Sequence, residues 1–159
     1  MVEIKFQLPE DFKNAEKAYA AGDYHDALTI LHELILLNYS LVDCYRLQAA
    51  CYIRLGQLDN IKSSLQEIIN LNAATIGDLY SYAQACTYLN KLPDAEKAYA
   101  ECVRMEPMNI EHQLKLIDIF MLENKRNNAS AYIESILNNF PDQADALYRK
   151  ALLNQDEKM

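Results

Sequence analysis

Three histidines and four cysteines are the side chains through which this 159-residue chain could do metal or nucleophilic chemistry, and their spacing argues against both. His25 and His32 stand seven residues apart, and His112 is remote from them. His32-Glu33-Leu34 lacks the second histidine that a zinc-protease helix needs. All three read as surface histidines on helices. Cys44, Cys51, Cys86 and Cys102 show no Cys-x-x-Cys spacing. They read as small core hydrophobes in a reducing compartment, not as a disulfide frame or a zinc site. Cys44 and Cys51 share a helical face, but the pattern puts no histidine beside them to generate a thiolate. With only 3 glycines the chain can hardly build a phosphate loop. The expectation is therefore no enzyme, no catalytic residue, no metal and no cofactor.

What remains is recognition. Hydrophobic residues make up 51% of the chain and charged ones 24%, the balance of a soluble globular protein long enough for one domain. A net charge of −8, with no basic stripe, excludes nucleic acid as a partner and steers mildly toward basic ones. The longest apolar patch, Leu34–Leu37, is one helical turn, and the start of the chain lacks a charged-then-apolar leader. No membrane insertion and a cytoplasmic location are expected.

The elements that would position a binding surface follow from a ladder of residues 34 apart. Gly22, Gly56, Asn90 and Asn124 form one rung set, and Ala27, Ile61, Ala95 and Ala129 a second. Leu31, Leu65, Tyr99 and Ile133 make a third, and Leu34, Ile68, Cys102 and Ile136 a fourth. A fixed period means a repeat array, and this length is that of the tetratricopeptide unit. Each cell holds two apolar stripes at helical spacing, separated by a Gly or Asn able to take the left-handed conformation that ends a helix. The pattern predicts nine helices, near 10–21, 24–37, 41–54, 58–71, 76–89, 93–105, 109–122, 126–139 and 142–154. Asp142 would cap the ninth. Its Gln143, Asp145, Arg149, Lys150, Gln155 and Asp156 would give the polar outer face of a terminal cap.

The segment Ala18-Tyr19-Ala20-Ala21-Gly22-Asp23-Tyr24-His25-Asp26-Ala27 resembles the core of tetratricopeptide repeats, and Leu55–Asp59 and Leu89–Ala95 echo it. The resemblance covers nearly the whole chain. It implies an all-α, right-handed α-solenoid of four helix hairpins plus a C-terminal capping helix. The divisions are an extended arm at 1–9, repeats at about 8–41, 42–75, 76–109 and 110–141, and a capping helix and tail at 142–159. The arm is read from Val2, Ile4, Phe6 and Leu8 alternating with polar residues up to Pro9. Through Leu55-Gly56-Gln57 and a few small and aromatic positions, the central stretch is also similar to the small chaperones of bacterial type III secretion. Such chaperones often pair, which would make Val2–Leu8 a homodimer contact.

In the family, the first helix of each repeat lines the concave face. Carried over, that implies a groove of Phe12, Glu16 and Tyr19; Asp43, Arg46, Ala50 and Ile53; Tyr80, Gln84, Thr87 and Tyr88; and Glu111, Leu114, Asp118 and Met121, with Tyr148 from the last helix. Rigid rings with polar tips and an adaptable Met suit an extended peptide or an amphipathic helix. Some family members grip a C-terminal carboxylate with Lys, Asn and Arg on these faces. The matching places here hold Phe12, Glu16, Leu47 and Gly77, or, one repeat on, Arg46, Ala50, Ser81 and Glu111. Neither set has the cations for a fork on a carboxylate. The function expected is noncatalytic protein binding, as an adaptor or small chaperone. The rival is a structural subunit that uses its edges or its arm.

Overall fold

The computed structural model describes residues 8–156, and every regular element in that stretch is helical. In chain order these are α1 (Leu8–Ala21), α2 (Tyr24–Leu36), α3 (Leu41–Leu55), α4 (Leu58–Asn70), α5 (Ile76–Tyr88), α6 (Leu92–Met105), α7 (Ile110–Leu122), α8 (Arg126–Asn139) and α9 (Ala144–Asp156).

The first rung of the ladder makes the tight turns. Gly22, Gly56, Asn90 and Asn124 have φ of 89°, 69°, 56° and 58°. Each closes its helix with a pair of bonds: the Gly22 and Asp23 amides donate to the Tyr19 and Ala18 carbonyls, and the Asn124 and Lys125 amides to Met121 and Phe120. This is the Schellman arrangement, in which a residue tolerant of the left-handed region satisfies the last carbonyls. The second helix of each pair stops in two ways. Asn38 and Asn72, both at φ 53°, repeat the Schellman closure after α2 and α4. After α6 and α8 the stop comes from Pro107 and Pro141. Glu106 and Phe140 before them are extended, at φ −130° and −137°, because a proline ring disfavours helix in the residue preceding it.

The other three rung sets are the core. All twelve of their residues are buried. A hairpin in a repeat array contacts only its neighbours, so no single core spans the chain. Accordingly the chain divides into two compact units, Met1–Ala85 and Cys86–Met159, with the division inside α5. In the first, α1, α2, α3 and α4 pack in sequence. Ala15, Ala27, Leu28, Leu31, Leu34, Cys44 and Cys51 form a cluster there, against which Phe12, Tyr19 and Leu47 pack. In the second, α6, α7, α8 and α9 pack in sequence, over Tyr99, Cys102, Leu116, Ile117, Ile133 and Ile136.

The helix ends differ from expectation at two places. The extended arm expected over residues 1–9 lies outside the described residues as far as residue 7, and Leu8 and Pro9 already belong to α1. Proline lacks an amide hydrogen that the first helical turn does not use, so it can sit inside the start. Asp142 does not cap α9. The helix begins at Ala144, and the Gln143 side-chain oxygen accepts from the Ala146 amide at 2.9 Å.

Candidate functional site: a cleft between α1 and α3

Phe12 and Glu16 lie one turn apart on α1. Asp43, Arg46, Leu47 and Ala50 follow the same i, i+3, i+4, i+7 spacing on α3, which puts all four on one face. The two faces meet at an open cleft of about 470 Å³ lined by these six residues. Five of them were expected in the groove, and Leu47 joins them. Its burial against the core cluster makes it the floor of the apolar side, with Phe12.

The charges in the cleft are unequal. Arg46 donates Nε to Asp78 Oδ1 at 3.2 Å and Nη2 to Asp78 Oδ2 at 2.9 Å, and Nη2 also reaches the Ala73 carbonyl at 2.9 Å. Asp78 accepts in addition from the Thr75 amide and hydroxyl, both at 2.9 Å. Burial pushes the Asp78 carboxyl up, but Arg46 and Thr75 outweigh it and hold it below its ordinary value. Arg46 is thus a fixed structural cation rather than one free to set the register of a partner. Asp43 accepts from the Ser40 hydroxyl at 2.9 Å, and Asp43 and Glu16 are both exposed. Among the described residues neither carboxylate forms an ion pair, so the cleft carries a negative balance beside an apolar floor.

The other expected groove residues are placed variously. Tyr19 packs against the core cluster, its ring 5.6 Å from that of Tyr24, because the hairpin turn between them brings the two helix ends together. Ile53 is exposed one turn beyond Ala50. Tyr80 and Gln84 are half-buried along α5, where Tyr82, unpredicted, is buried and donates its hydroxyl to Gln66 Oε1 at 2.6 Å.

In the second unit Thr87 is half-buried and hydrogen-bonds Tyr99, whose phenol burial pushes up to about 12. Tyr88 is 76% exposed, Glu111 and Tyr148 are exposed, and Met121 is half-buried. Leu114 is a correction: it is 9% exposed, a core residue. α7 buries Leu116, Ile117, Ile119 and Phe120 as well, an apolar helix covered nearly all round between α6 and α8. Asp118 is a second correction. Arg149 forks onto it, Nε to Oδ1 at 2.6 Å and Nη2 to Oδ2 at 2.9 Å. That pair turns Arg149 inward from the outer face of α9, and it is half-buried.

His112 is a third correction. It is buried, with Nδ1 3.6 Å from Glu106 Oε2. None of the four cysteines forms a disulfide, and all are fully buried. Cys44 donates to the Tyr39 carbonyl at 3.3 Å. Burial, with a smaller push from neighbouring carboxylates, raises the Cys44 and Cys102 thiols to about 11, which keeps them protonated. Among the described residues no group of three or more His, Cys, Asp or Glu is placed to hold a metal ion, and no helix is long and apolar enough to cross a membrane.

No protein-family model matches this chain. It is 33% identical over 108 residues, 68% of its length, to Protein unc-45 homolog B of Mus musculus. The chain spans about a tenth of the length of the curated relatives it matches. In three dimensions it is similar to the MamA protein, with a TM-score of 0.79 at 14% identity over 95% of this chain and 82% of that one. It is also similar to YrrB, a TPR protein with an unusual peptide-binding site, with a TM-score of 0.71 at 14% identity over 91% of this chain and 75% of that one. Likeness at this identity shows the fold. The chain is all-α, of the tetratricopeptide type that the 34-residue ladder predicts.

Proposed function

We propose that this protein is a noncatalytic protein-binding module, and that the cleft between α1 and α3 receives a short segment of its partner. The observation that carries the reading is the cleft itself: an open space of about 470 Å³ with Phe12, Leu47 and Ala50 on its walls and Glu16 and Asp43 at hand. Seating one apolar side chain there is worth about 1.5–3 kcal/mol. The carboxylates add a preference for a neighbouring Lys or Arg and select against acidic segments. Arg46, already forked onto Asp78, contributes shape and a rigid edge. That YrrB, of the same fold, has a peptide-binding site supports the reading. A small-chaperone role of the secretion type is a narrower form of it, resting on Leu55-Gly56-Gln57 and a few small and aromatic positions.

The test is to select peptides from a displayed library on the full chain and titrate them against the wild type and Ala50→Trp. Selection should enrich apolar residues flanked by Lys or Arg. The indole would fill the cleft and weaken binding about tenfold or more, the worth of one buried side chain. Affinity unchanged in Ala50→Trp, with the helical signal intact, rules out the α1–α3 cleft.

A further inference from the structure

The cleft between α1 and α3 lies where the chain enters the fold. Leu8 opens α1 and stands one turn before Phe12, on the same face. Both pack on the apolar cluster that also takes Leu47. Asp43, in the first turn of α3, belongs to the same lining. The residues ahead of Leu8 therefore lead into α1 beside the apolar floor of the cleft.

Those residues, Met1-Val2-Glu3-Ile4-Lys5-Phe6-Gln7, lie outside the described ones, and their sequence matches the lining. Val2, Ile4 and Phe6 alternate with Glu3, Lys5 and Gln7, so in an extended chain one edge is apolar. Lys5 has an apolar residue on either side. The cleft suits that pattern: Phe12 and Leu47 for an apolar side chain, Glu16 and Asp43 for a cation. Arg46 does not take the cation's place, because its guanidinium is held by Asp78 and the Ala73 carbonyl. Glu3 opposes the fit, but the alternation turns it away from the apolar edge.

The reach is sufficient. Phe12 and Glu16 lie about 6 and 12 Å beyond Leu8 along α1, at about 1.5 Å per residue. Ile4 precedes Leu8 by four residues and Val2 by six, which is about 13 and 20 Å of extended chain. A reversal at Gln7 brings Ile4 level with the cleft without moving a helix. A tether this short keeps the segment at an effective concentration on the order of millimolar, so even a weak fit fills the cleft.

Resting on the reading of this cleft as a partner site, we infer that residues 2–6 of the same chain occupy it as a tethered competitor. A partner segment has to displace them. Its apparent affinity is reduced to the fraction of molecules whose cleft is open.

The experiment is methyl NMR on the full labelled chain. Nuclear Overhauser contacts are expected from the Ile4 methyls to those of Leu47 and Ala50, and they should not weaken on dilution. Then the synthetic heptapeptide Met-Val-Glu-Ile-Lys-Phe-Gln is titrated into the wild type and into Ile4→Ser/Phe6→Ser, whose substitutions lie outside the described core. The variant should bind it at about 0.1–1 mM, with shifts at Leu47 and Ala50, and the wild type about tenfold more weakly, because its own segment competes. Contacts that fade on dilution assign the segment to a second copy and overturn the inference. So do absent contacts, equal affinity in the two proteins, or a heptapeptide that leaves Leu47 and Ala50 unmoved in the variant. In each of those cases a library-selected peptide that still shifts these methyls keeps the cleft as a partner site. If that peptide shifts neither methyl in the variant, the partner-site reading falls and the inference falls with it.

Discussion

The guanidinium of Arg46 on α3 forks onto the carboxylate of Asp78 in the first turn of α5, with Nε and Nη2 donating at 2.9–3.2 Å. The same carboxylate closes a capping box with Thr75, whose amide and hydroxyl donate to it and whose hydroxyl oxygen accepts from the Asp78 amide at 3.2 Å. One side chain thus joins a helix cap, an interhelical tie and the edge of the proposed binding cleft.

Removing Arg46 leaves Asp78 buried without its cation. Arg46→Ala should lower unfolding stability by about 2 kcal/mol. That is less than the loss for a fully buried pair, because the Arg46 side chain is 36% exposed and partly screened. Chemical denaturation of the wild type and the variant measures it.

The pH dependence follows in sign. The folded Asp78 carboxyl titrates below its ordinary value of 3.8. Its contribution is therefore complete above that value and is lost as pH falls through the lower folded one. In thermal melts from neutral pH into acid, Asp78→Asn should start less stable than the wild type. It should also lack part of the wild type's loss below the ordinary carboxylate range.

Two glycine substitutions should have opposite signs. Gly56 sits at φ +69° with open space around it, so Gly56→Ala meets no clash but forces an L-residue into the left-handed region. A cost of about 1 kcal/mol is expected. Gly77 lies in the first turn of α5 without a positive φ, and an added Cβ would meet only Thr75 Oγ1, at 3.8 Å. Gly77→Ala should stabilise by about 0.5 kcal/mol. Paired melting curves decide both.

The thiols should be silent in the folded state. All four cysteines are fully buried, and the Cys44 and Cys102 thiols are raised to about 11. Ellman's reagent at about pH 8 should label none of them in the native chain and all of them after unfolding.

The period of the sequence carried the fold because each rung has one physical job. Gly22, Gly56, Asn90 and Asn124 tolerate the left-handed turn, and the three rung sets behind them are buried throughout. The lining of the candidate cleft was legible where it follows from helical spacing, as with Phe12, Glu16, Asp43, Arg46 and Ala50. It was not legible where a side chain's fate depends on another hairpin. Asp78 lies 32 residues after Arg46 and Arg149 lies 31 after Asp118, a little less than one repeat, so the ladder in register at 34 does not pair them. Opposite charges at that offset are the signal that finds both pairs. Leu114 and His112 were misplaced for a related reason. A stripe shows which face of α7 is apolar, but burial of the other faces comes from α6 and α8.

The most direct measurement is methyl NMR of the labelled chain with a library-selected peptide added. The account predicts shifts concentrated at the methyls of Leu47 and Ala50, with the buried methyls of Leu114 and Ile133 unmoved. Saturable shifts elsewhere, with Leu47 and Ala50 undisturbed, would contradict it.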